Sequence, residues 1–190
     1  MIDAIITAAL DAGDAIMAIY ETPEHSGTRE KGDGSPVTLA DEQAEAVILA
    51  ALAKIAPDIA VVAEESVAAG KVPAPSSRFF LVDPLDGTRE FISRNGEFTV
   101  NIALIEDGKP VLGVVHLPAT GTTYVGETGK GARIRTVSHD WQAITASNPV
   151  GPIKVLASRS HMSPETKEFI DKFTVGELVS AGSSLKFCRL

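Results

Sequence analysis

Two carboxylates three residues apart, Asp83 and Asp86, are the residues of this chain whose types and spacing most clearly predict chemistry. They follow the apolar run Phe79–Val82 and precede Gly87 and Thr88. Because carboxylate oxygens bind hard divalent cations, the pattern predicts a metal site in which a phosphate bridges the bound ions. Glycine at position 87 would let the backbone approach such a ligand closely. The alternative is a simple turn, since proline, aspartate and glycine all favour tight turns.

Further acidic residues lie upstream of this stretch. The pair Glu64 and Glu65 is predicted to end an apolar strand, beside Asp83 if the two strands are neighbours. Asp41 could take a proton from the hydroxyl of Thr88, and through it from a water molecule. Taken alone, two adjacent glutamates are usually solvated, and Asp41 is more often a helix cap.

Other phosphate and metal motifs do not fit this spacing. Phosphatases that form an aspartyl-phosphate use Asp-x-Asp-x-Thr near the N-terminus, whereas here Asp-x-x-Asp-Gly-Thr lies in the middle of the chain. The stretch also lacks the every-second-residue oxygens of an EF-hand loop. The sequence contains neither a Walker loop nor a Gly-x-Ser-x-Gly nucleophile elbow.

Composition limits the possible partners. The 190 residues include 17 Lys and Arg against 25 Asp and Glu, which gives a formal net charge of −8 and no support for nucleic-acid binding. A single cysteine excludes a disulfide framework and a cysteine-rich zinc site. The N-terminal residues are typical of neither a secretory signal nor a membrane span, so we expect a cytoplasmic protein without an integral membrane segment.

Hydrophobic periodicity predicts the elements that must position these residues. Residues 2–20 form a helix, 22–36 a loop or weak hairpin, and a second helix capped by Thr38 or Asp41 runs to about Ile55. Residues 59–63 and 79–82 are short strands, separated by a mobile surface loop at 67–77. Strands at 98–104, 111–117 and 122–126, with an Asp-Gly turn at 107–108, indicate an antiparallel sheet.

The pattern changes after residue 150. A strand at 153–157, a helix at 164–173, a strand at 178–181 and the start of a helix at 184–190 indicate a parallel unit. The fold class is therefore α/β with α+β layering: an antiparallel-sheet subdomain at 1–150 and the beginning of a smaller mixed or parallel subdomain at 151–190. One strand-helix-strand unit cannot cover both faces of a parallel sheet, so this subdomain is expected to be incomplete.

In three stretches the chain resembles the inositol monophosphatase superfamily. They are Ser35-Pro36-Val37-Thr38 followed by Asp41, then Ala63-Glu64-Glu65-Ser66, then Asp83-Pro84-Leu85-Asp86-Gly87-Thr88. Within it, stretches 82–91, 95–104 and 182–188 resemble the 3'(2'),5'-bisphosphate nucleotidases of the CysQ type. The resemblance covers essentially the whole chain and implies a layered αβαβα fold like that of sugar phosphatases.

The resemblance implies a set of magnesium ligands. Glu64, Asp83 and the carbonyl of Leu85 would hold one Mg²⁺, and Asp83 and Asp86 would share a second. Two or three ions and inhibition by lithium are expected.

The resemblance also implies catalytic and substrate-binding residues. Asp41 and Thr88 would orient a water molecule for in-line attack, with Glu64 in the catalytic set and the amides of Gly87 and Thr88 on the scissile phosphate. The substrate contacts implied by the resemblance are Glu64, Leu85, Asp86, Gly87, Thr88, Ser158, His161, Gly182 and Lys186. Taken alone, His161 is more often a surface or helix-end histidine.

The implied activity is Mg²⁺-dependent hydrolysis of 3'-phosphoadenosine 5'-phosphate to AMP and phosphate, as part of sulfur assimilation. The partner would be this small nucleotide bisphosphate, bound by a monomer or a homodimer. Inositol monophosphatase activity is one alternative, and an inactive truncated fragment that binds a cation or a partner is another.

One feature departs from the family pattern. Relatives continue beyond the stretch at 182–188 and carry a later Trp-Asp pair, whereas here Trp141 follows Asp140 and no such pair comes after Lys186. This departure predicts weak Mg²⁺ binding at the second metal site and slow turnover.

Overall fold

A computed structural model describes residues 1–22, 27–30, 32, 36–74, 76–146, 151–159 and 162–189 of the chain. The helices are α1 (Ile2–Tyr20), α2 (Leu39–Ile55), α3 (Glu64–Ala68), α4 (Thr88–Ile92), α5 (Pro164–Ile170) and α6 (Leu185–Cys188). The first six strands are β1 (Arg29–Glu30), β2 (Pro36–Val37), β3 (Ala60–Ala63), β4 (Arg78–Asp86), β5 (Thr99–Glu106) and β6 (Lys109–Leu117). The others are β7 (Thr122–Glu127), β8 (Gly131–Arg135), β9 (Gln142–Ile144), β10 (Ile153–Ser158) and β11 (Val175–Ala181).

The central feature is a seven-stranded sheet in the order β3-β4-β5-β6-β7-β8-β9. Strands β3 and β4 are parallel, and every later neighbour pair in this sheet is antiparallel, which confirms the predicted succession of hairpins. The short strands β8 and β9 were not predicted. Strands β1 and β2 form a two-residue antiparallel pair, in agreement with the expected weak hairpin.

The main core lies between one face of this sheet and helices α1 and α2. Both helices carry apolar residues at helical spacing, so each presents a continuous buried stripe to the sheet. The largest fully buried side chains of this layer are Ile5, Ile16, Ile48, Leu52, Phe80, Phe98 and Ile102. Phe98 packs against Tyr20 and Phe91, with ring centroids 5.0 and 5.3 Å apart.

Strands β10 and β11 form a separate parallel pair joined through α5, as the strand-helix-strand pattern predicted. Helix α5 starts after Ser163, whose hydroxyl accepts a hydrogen bond from the amide of Thr166 at 3.2 Å. It ends at Ile170, three residues earlier than predicted. Helix α6 follows β11 after a tight turn at 182–184. The predicted mixed α/β fold with helices layered on sheets is confirmed.

None of the helices within the described residues combines the length and the apolar character that a bilayer crossing requires.

Candidate active site

A bulge in β4 brings the two aspartates of the Asp-x-x-Asp stretch to the same face of the sheet. Asp83 pairs with Asn101 of β5, and Asp86 pairs with Thr99, so three steps along β4 match two steps along β5. Residues three apart in a regular strand would point to opposite faces, but the extra residue of a bulge removes that difference. Both carboxylates therefore lie on the face of the sheet opposite α1 and α2.

Gly87 turns the chain from β4 into α4. Its φ of +95° lies in the left-handed region, which glycine adopts without steric cost. A Cβ here would stand 3.2 Å from the carbonyl oxygen of Glu97 and 3.3 Å from the Cβ of Ser183. The turn therefore requires glycine both for its backbone angle and for its close packing. Helix α4 begins at Thr88 and ends at Ile92.

Asp41 belongs to a capping box at the start of α2 and also reaches Thr88. Its Oδ2 accepts hydrogen bonds from the amide and the hydroxyl of Thr38, at 2.8 and 2.7 Å. Its Oδ1 accepts a hydrogen bond from the Thr88 hydroxyl at 3.1 Å. Asp41 is buried, and burial raises its pKa from 3.8 while the bonds to Thr38 and Thr88 oppose that rise. The predicted contact between Asp41 and Thr88 is thus present.

Glu64 lies beside the aspartates because β3 runs parallel to β4, with Ala63 in register with Val82. The prediction that Glu64 and Glu65 end the strand was wrong in detail, since both form the first turn of α3. That turn is held by Glu45 of α2, a buried residue that the sequence did not indicate. Its carboxylate accepts hydrogen bonds from the amide of Glu65 at 2.8 Å and the hydroxyl of Ser66 at 2.6 Å.

A cavity of about 310 Å³ opens above the carboxylates. Its lining residues are Pro36, Glu64, Asp83, Leu85, Asp86, Gly87, Thr88, Arg89, Glu90, Ser158, Ser183 and Lys186. Burial and the negative charges of Glu64 and Asp86 raise the pKa of Asp83 from 3.8. Burial raises the pKa of Asp86 as well, while the Ser184 amide and Lys186 oppose that rise. The charged forms of these two carboxyl groups are therefore disfavoured in the protein alone, and a bound cation would stabilise them.

The donor set fits a divalent cation. Among the described residues, Asp83 Oδ1 is buried and has no hydrogen-bond partner, although a carboxylate oxygen in that position normally has one. No group of three or more His, Cys, Asp or Glu side chains within the described residues is arranged to hold an ion in this conformation. The predicted ligands form smaller sets than three such side chains. Each ion would bind two carboxylates, and the first ion would also bind the carbonyl of Leu85. Oxygen donors of this kind suit Mg²⁺.

The β10–β11 unit contributes the opposite side of the cavity. Ser158 ends β10, and Lys186 in α6 donates a hydrogen bond to the carbonyl of Ser183 at 2.5 Å. Both side chains line the cavity, as does Ser183. Gly182, another predicted substrate contact, belongs to the turn at 182–184 and is not among the lining residues. The predicted contact His161 lies outside the described residues.

Sequence reasoning missed the residues that join the two sides. The amide of Ser184 donates a hydrogen bond to Asp86 Oδ2 at 2.5 Å. The Ser184 hydroxyl donates to Asn101 Oδ1 at 2.7 Å and lies 2.9 Å from Thr99 Oγ1. These contacts span 83–98 positions of sequence, so no local pattern could reveal them. The one signal in the sequence that could have linked them is that stretches 95–104 and 182–188 both resemble the CysQ-type bisphosphate nucleotidases.

Comparison with known proteins agrees with this geometry. The model of the inositol monophosphatase family matches residues 1–189. The chain belongs to the inositol monophosphatase family. The family consists of metal-dependent phosphatases, so this protein is a phosphatase by family membership.

Relatives within the family include proteins named 3'(2'),5'-bisphosphate nucleotidase CysQ. That of Salmonella typhimurium is 46% identical over 189 residues, which are 99% of this chain and 75% of that protein. The crystal structure of CysQ from Bacteroides thetaiotaomicron is 37% identical, with a TM-score of 0.77 over 97% of this chain and 73% of that one. An inositol monophosphatase from Thermotoga maritima is 25% identical, with a TM-score of 0.78 over 94% of this chain and 67% of that one.

Proposed function

We propose that this protein is a magnesium-dependent phosphatase that hydrolyses 3'-phosphoadenosine 5'-phosphate to AMP and inorganic phosphate, in sulfur metabolism. The observation that carries the proposal is a cavity with carboxylates on its floor and Lys186 on its rim. Acidic residues suit the cations that bind the scissile phosphate, and the lysine suits a second phosphate of the same substrate. The similarity to proteins named bisphosphate nucleotidase supports this choice of substrate.

The proposed metal ligands lie around the bulge of β4 and at the adjacent start of α3. Glu64, Asp83 and the carbonyl of Leu85 would hold one Mg²⁺, and Asp83 and Asp86 a second. When bound, magnesium supplies the positive charge that stabilises the attacking and leaving oxygens of an in-line displacement. The side chains themselves form no covalent bond to phosphorus. The family resemblance also implies two or three ions and inhibition by lithium.

Thr88, supported by Asp41, is assigned the role of orienting the attacking water. The Thr88 hydroxyl donates a hydrogen bond to Asp41 Oδ1 at 3.1 Å, so its oxygen can accept a hydrogen bond from water in the cavity. Because Asp41 is buried and held by Thr38, its position on the far side of Thr88 is fixed. In the reaction the water passes a proton through Thr88 to Asp41 as its oxygen bonds to phosphorus. The bond between phosphorus and the 3' oxygen breaks, and the leaving alkoxide takes up a proton from solvent water.

The second side of the cavity is assigned to nucleotide binding. Ser158 and Lys186 would contact the other phosphate, with Gly182 supporting the turn and His161 assigned by resemblance alone. On this proposal residues 1–150 form the catalytic subdomain and residues 151–190 the nucleotide-binding one. The separate parallel sheet of β10 and β11 supports that division. We further propose a cytoplasmic monomer or homodimer.

Inositol monophosphate hydrolysis is the second candidate. It is favoured by the fold similarity to the inositol monophosphatase from Thermotoga maritima. That substrate carries one phosphate and would leave Lys186 without an anionic partner on the substrate. The position of Lys186 on the cavity rim therefore favours the bisphosphate.

Phosphate release from the two substrates tests the proposal. The purified protein with Mg²⁺ should release phosphate from 3'-phosphoadenosine 5'-phosphate with a higher kcat/KM than from inositol 1-phosphate. EDTA should abolish the release and Li⁺ should inhibit it. Faster hydrolysis of the inositol phosphate, or release that persists in EDTA, would contradict the proposal.

A further inference from the structure

Glu97, which precedes β5, contacts both Arg159 after β10 and the turn at 182–184. The proposed reaction assigns it no role. Its carboxylate accepts hydrogen bonds from Arg159 Nε at 3.2 Å and from Arg159 Nη2 at 3.1 Å. The same carboxylate accepts a hydrogen bond from the amide of Gly182 at 2.8 Å. Its side chain is 19% exposed, so these are partly desolvated contacts. Charge-assisted contacts of this kind are stronger than neutral ones.

The turn that Glu97 holds has little freedom. A Cβ at Gly182 would lie 2.4 Å from Glu90 Cγ and 2.9 Å from the carbonyl oxygen of Glu97. The next residue, Ser183, adopts a φ of +47°, which is costly for a residue other than glycine and persists only where its surroundings impose it. Among those surroundings are the Gly182 amide bound to Glu97 and the Ser183 carbonyl bound to Lys186.

The far end of this turn contacts a carboxylate of the active site. The Ser184 amide donates to Asp86 Oδ2 at 2.5 Å, and the Ser184 side chain is fixed by Asn101 and Thr99. An unbroken series of polar contacts thus runs from Arg159, at the end of β10, through Glu97 and the turn to Asp86. Groups that orient a metal-binding carboxylate change its affinity for the ion when they are removed.

We propose that Glu97 is a positioning residue that fixes the Gly182–Ser184 turn, so that the Ser184 amide holds Asp86 in the orientation that magnesium binding requires. The inference rests on the proposed role of Asp86 as a magnesium ligand. Glu97 does not touch the reacting atoms and acts through the turn. It also ties the metal site to β10, whose terminal residue Ser158 faces the cavity.

Hydrogen exchange and Mg²⁺ titration test this proposal without any substrate. In ¹⁵N-labelled protein, Glu97→Ala should speed exchange of the Ser184 amide by about tenfold or more relative to wild type, with Mg²⁺ absent. Calorimetric Mg²⁺ affinity should fall by about tenfold. Glu97→Gln keeps an acceptor for the Gly182 amide and should change both quantities by less than about threefold.

Glu177→Ala is the matched control. Glu177 also pairs with a basic residue of β10, Lys154, at 2.8 Å, but it lies away from the turn. Its removal should leave both the Ser184 exchange rate and the Mg²⁺ affinity unchanged. If Glu97→Ala does not fold, Glu97→Asp, whose shorter side chain withdraws the carboxylate from the Gly182 amide, carries the test, and an unchanged Ser184 exchange rate in that variant overturns the proposal.

Other outcomes also decide the question. Unchanged exchange at Ser184 in a folded Glu97→Ala variant would overturn the proposal, as would equal effects of Glu97→Ala and Glu177→Ala. Accelerated exchange and weaker Mg²⁺ binding would support it even if wild type fails to hydrolyse the bisphosphate, in which case only the proposed substrate is wrong.

Discussion

The large sheet and the β10–β11 unit face each other across the same cavity but are stabilised differently. The sheet and helices α1 and α2 share one continuous buried cluster, drawn from residues between Ile5 and Val125. Buried apolar residues of the smaller unit are Ala157, Ala181 and Leu185. It meets the sheet through polar contacts such as that of Arg159 with Glu97 and of Ser184 with Asp86.

This difference separates two kinds of effect. Substitutions in the large sheet should change global stability, because burial of apolar surface is the dominant favourable term in folding. Substitutions in the smaller unit should change ligand affinity, because they shift side chains on the cavity rim without opening the core.

The largest expected effect is on stability. Phe98→Ala removes a fully buried ring and should lower the free energy of unfolding by about 3–5 kcal/mol. Phe173→Ala, in the smaller unit, removes a ring that is 48% exposed and should cost less than about 1 kcal/mol. Urea unfolding followed by circular dichroism measures both. Equal losses would show that the two regions do not differ as described.

Asp83→Asn should separate activity from stability within the large sheet. Phosphate release should fall more than about 100-fold, because loss of a proposed metal ligand should exceed the 10–100-fold cost of losing its supporting groups. Without Mg²⁺ the variant should be more stable than wild type. The folded-state pKa of Asp83 lies above its unfolded value of 3.8, so its contribution to stability is present below about pH 4 and is lost as pH rises through the folded pKa.

Thermal melts in EDTA between pH 4 and pH 8 check the second part of this prediction. The gain in melting temperature of Asp83→Asn over wild type should grow with pH. Asp140→Asn changes an exposed carboxylate that does not line the cavity, and should alter neither activity nor the melting curve. A variant less stable than wild type at every pH would refute the electrostatic reading of the cavity floor.

His116 should make the large sheet sensitive to acid. Burial lowers its pKa from 6.5 to about 4, and its ring Nδ1 lies 3.0 Å from Thr123 Oγ1. Because the unfolded chain protonates first as pH falls, the contribution is present above about pH 6.5 and is lost toward pH 4. Between pH 7 and pH 5 wild type should lose about 1–2 kcal/mol more stability than His116→Gln. If the free energies of unfolding of the two proteins change equally with pH, His116 is not the source of the acid sensitivity.

The smallest expected effect belongs to the smaller unit. Lys186→Met should raise KM for the bisphosphate about fivefold and the KM for inositol 1-phosphate clearly less, because the loss of its hydrogen bond to the Ser183 carbonyl affects both substrates alike. Lys154→Met, which removes an exposed lysine of the same unit, should change neither. An equal rise in KM for both substrates would place Lys186 at the scissile phosphate and not at the second one.

Local patterns predicted much of the large sheet. A cap of α2 at Thr38 or Asp41 and the Asp-Gly hairpin turn follow from short-range chemistry; the structure has Thr38 as the N-cap, and the turn is present as expected. Strands β8 and β9 were missed, because they are short and their burial pattern lacks a clear alternation. Glu64 was assigned to a strand end because a short apolar run gives no sign of where the following helix begins.

The candidate site could be predicted only in part. The residue types and the Asp-x-x-Asp spacing indicated the acidic cluster, but the bulge that aligns Asp83 with Asp86 depends on pairing with β5. The roles of Ser184 and Glu97 depend on contacts across 62 or more positions, which periodicity cannot report.

The bulge in β4 also fixes the spacing of the two aspartates along the sheet. The spacing between Asp83 and Asp86 is set by sheet pairing on both sides of the bulge, and not by a loop that could adjust to a larger guest. Deleting one of the two residues between them would restore an even ladder, whereas inserting one would lengthen the gap in a fixed step. The register of the two strands thus sets, in discrete steps, how far apart the backbone holds the two carboxylates.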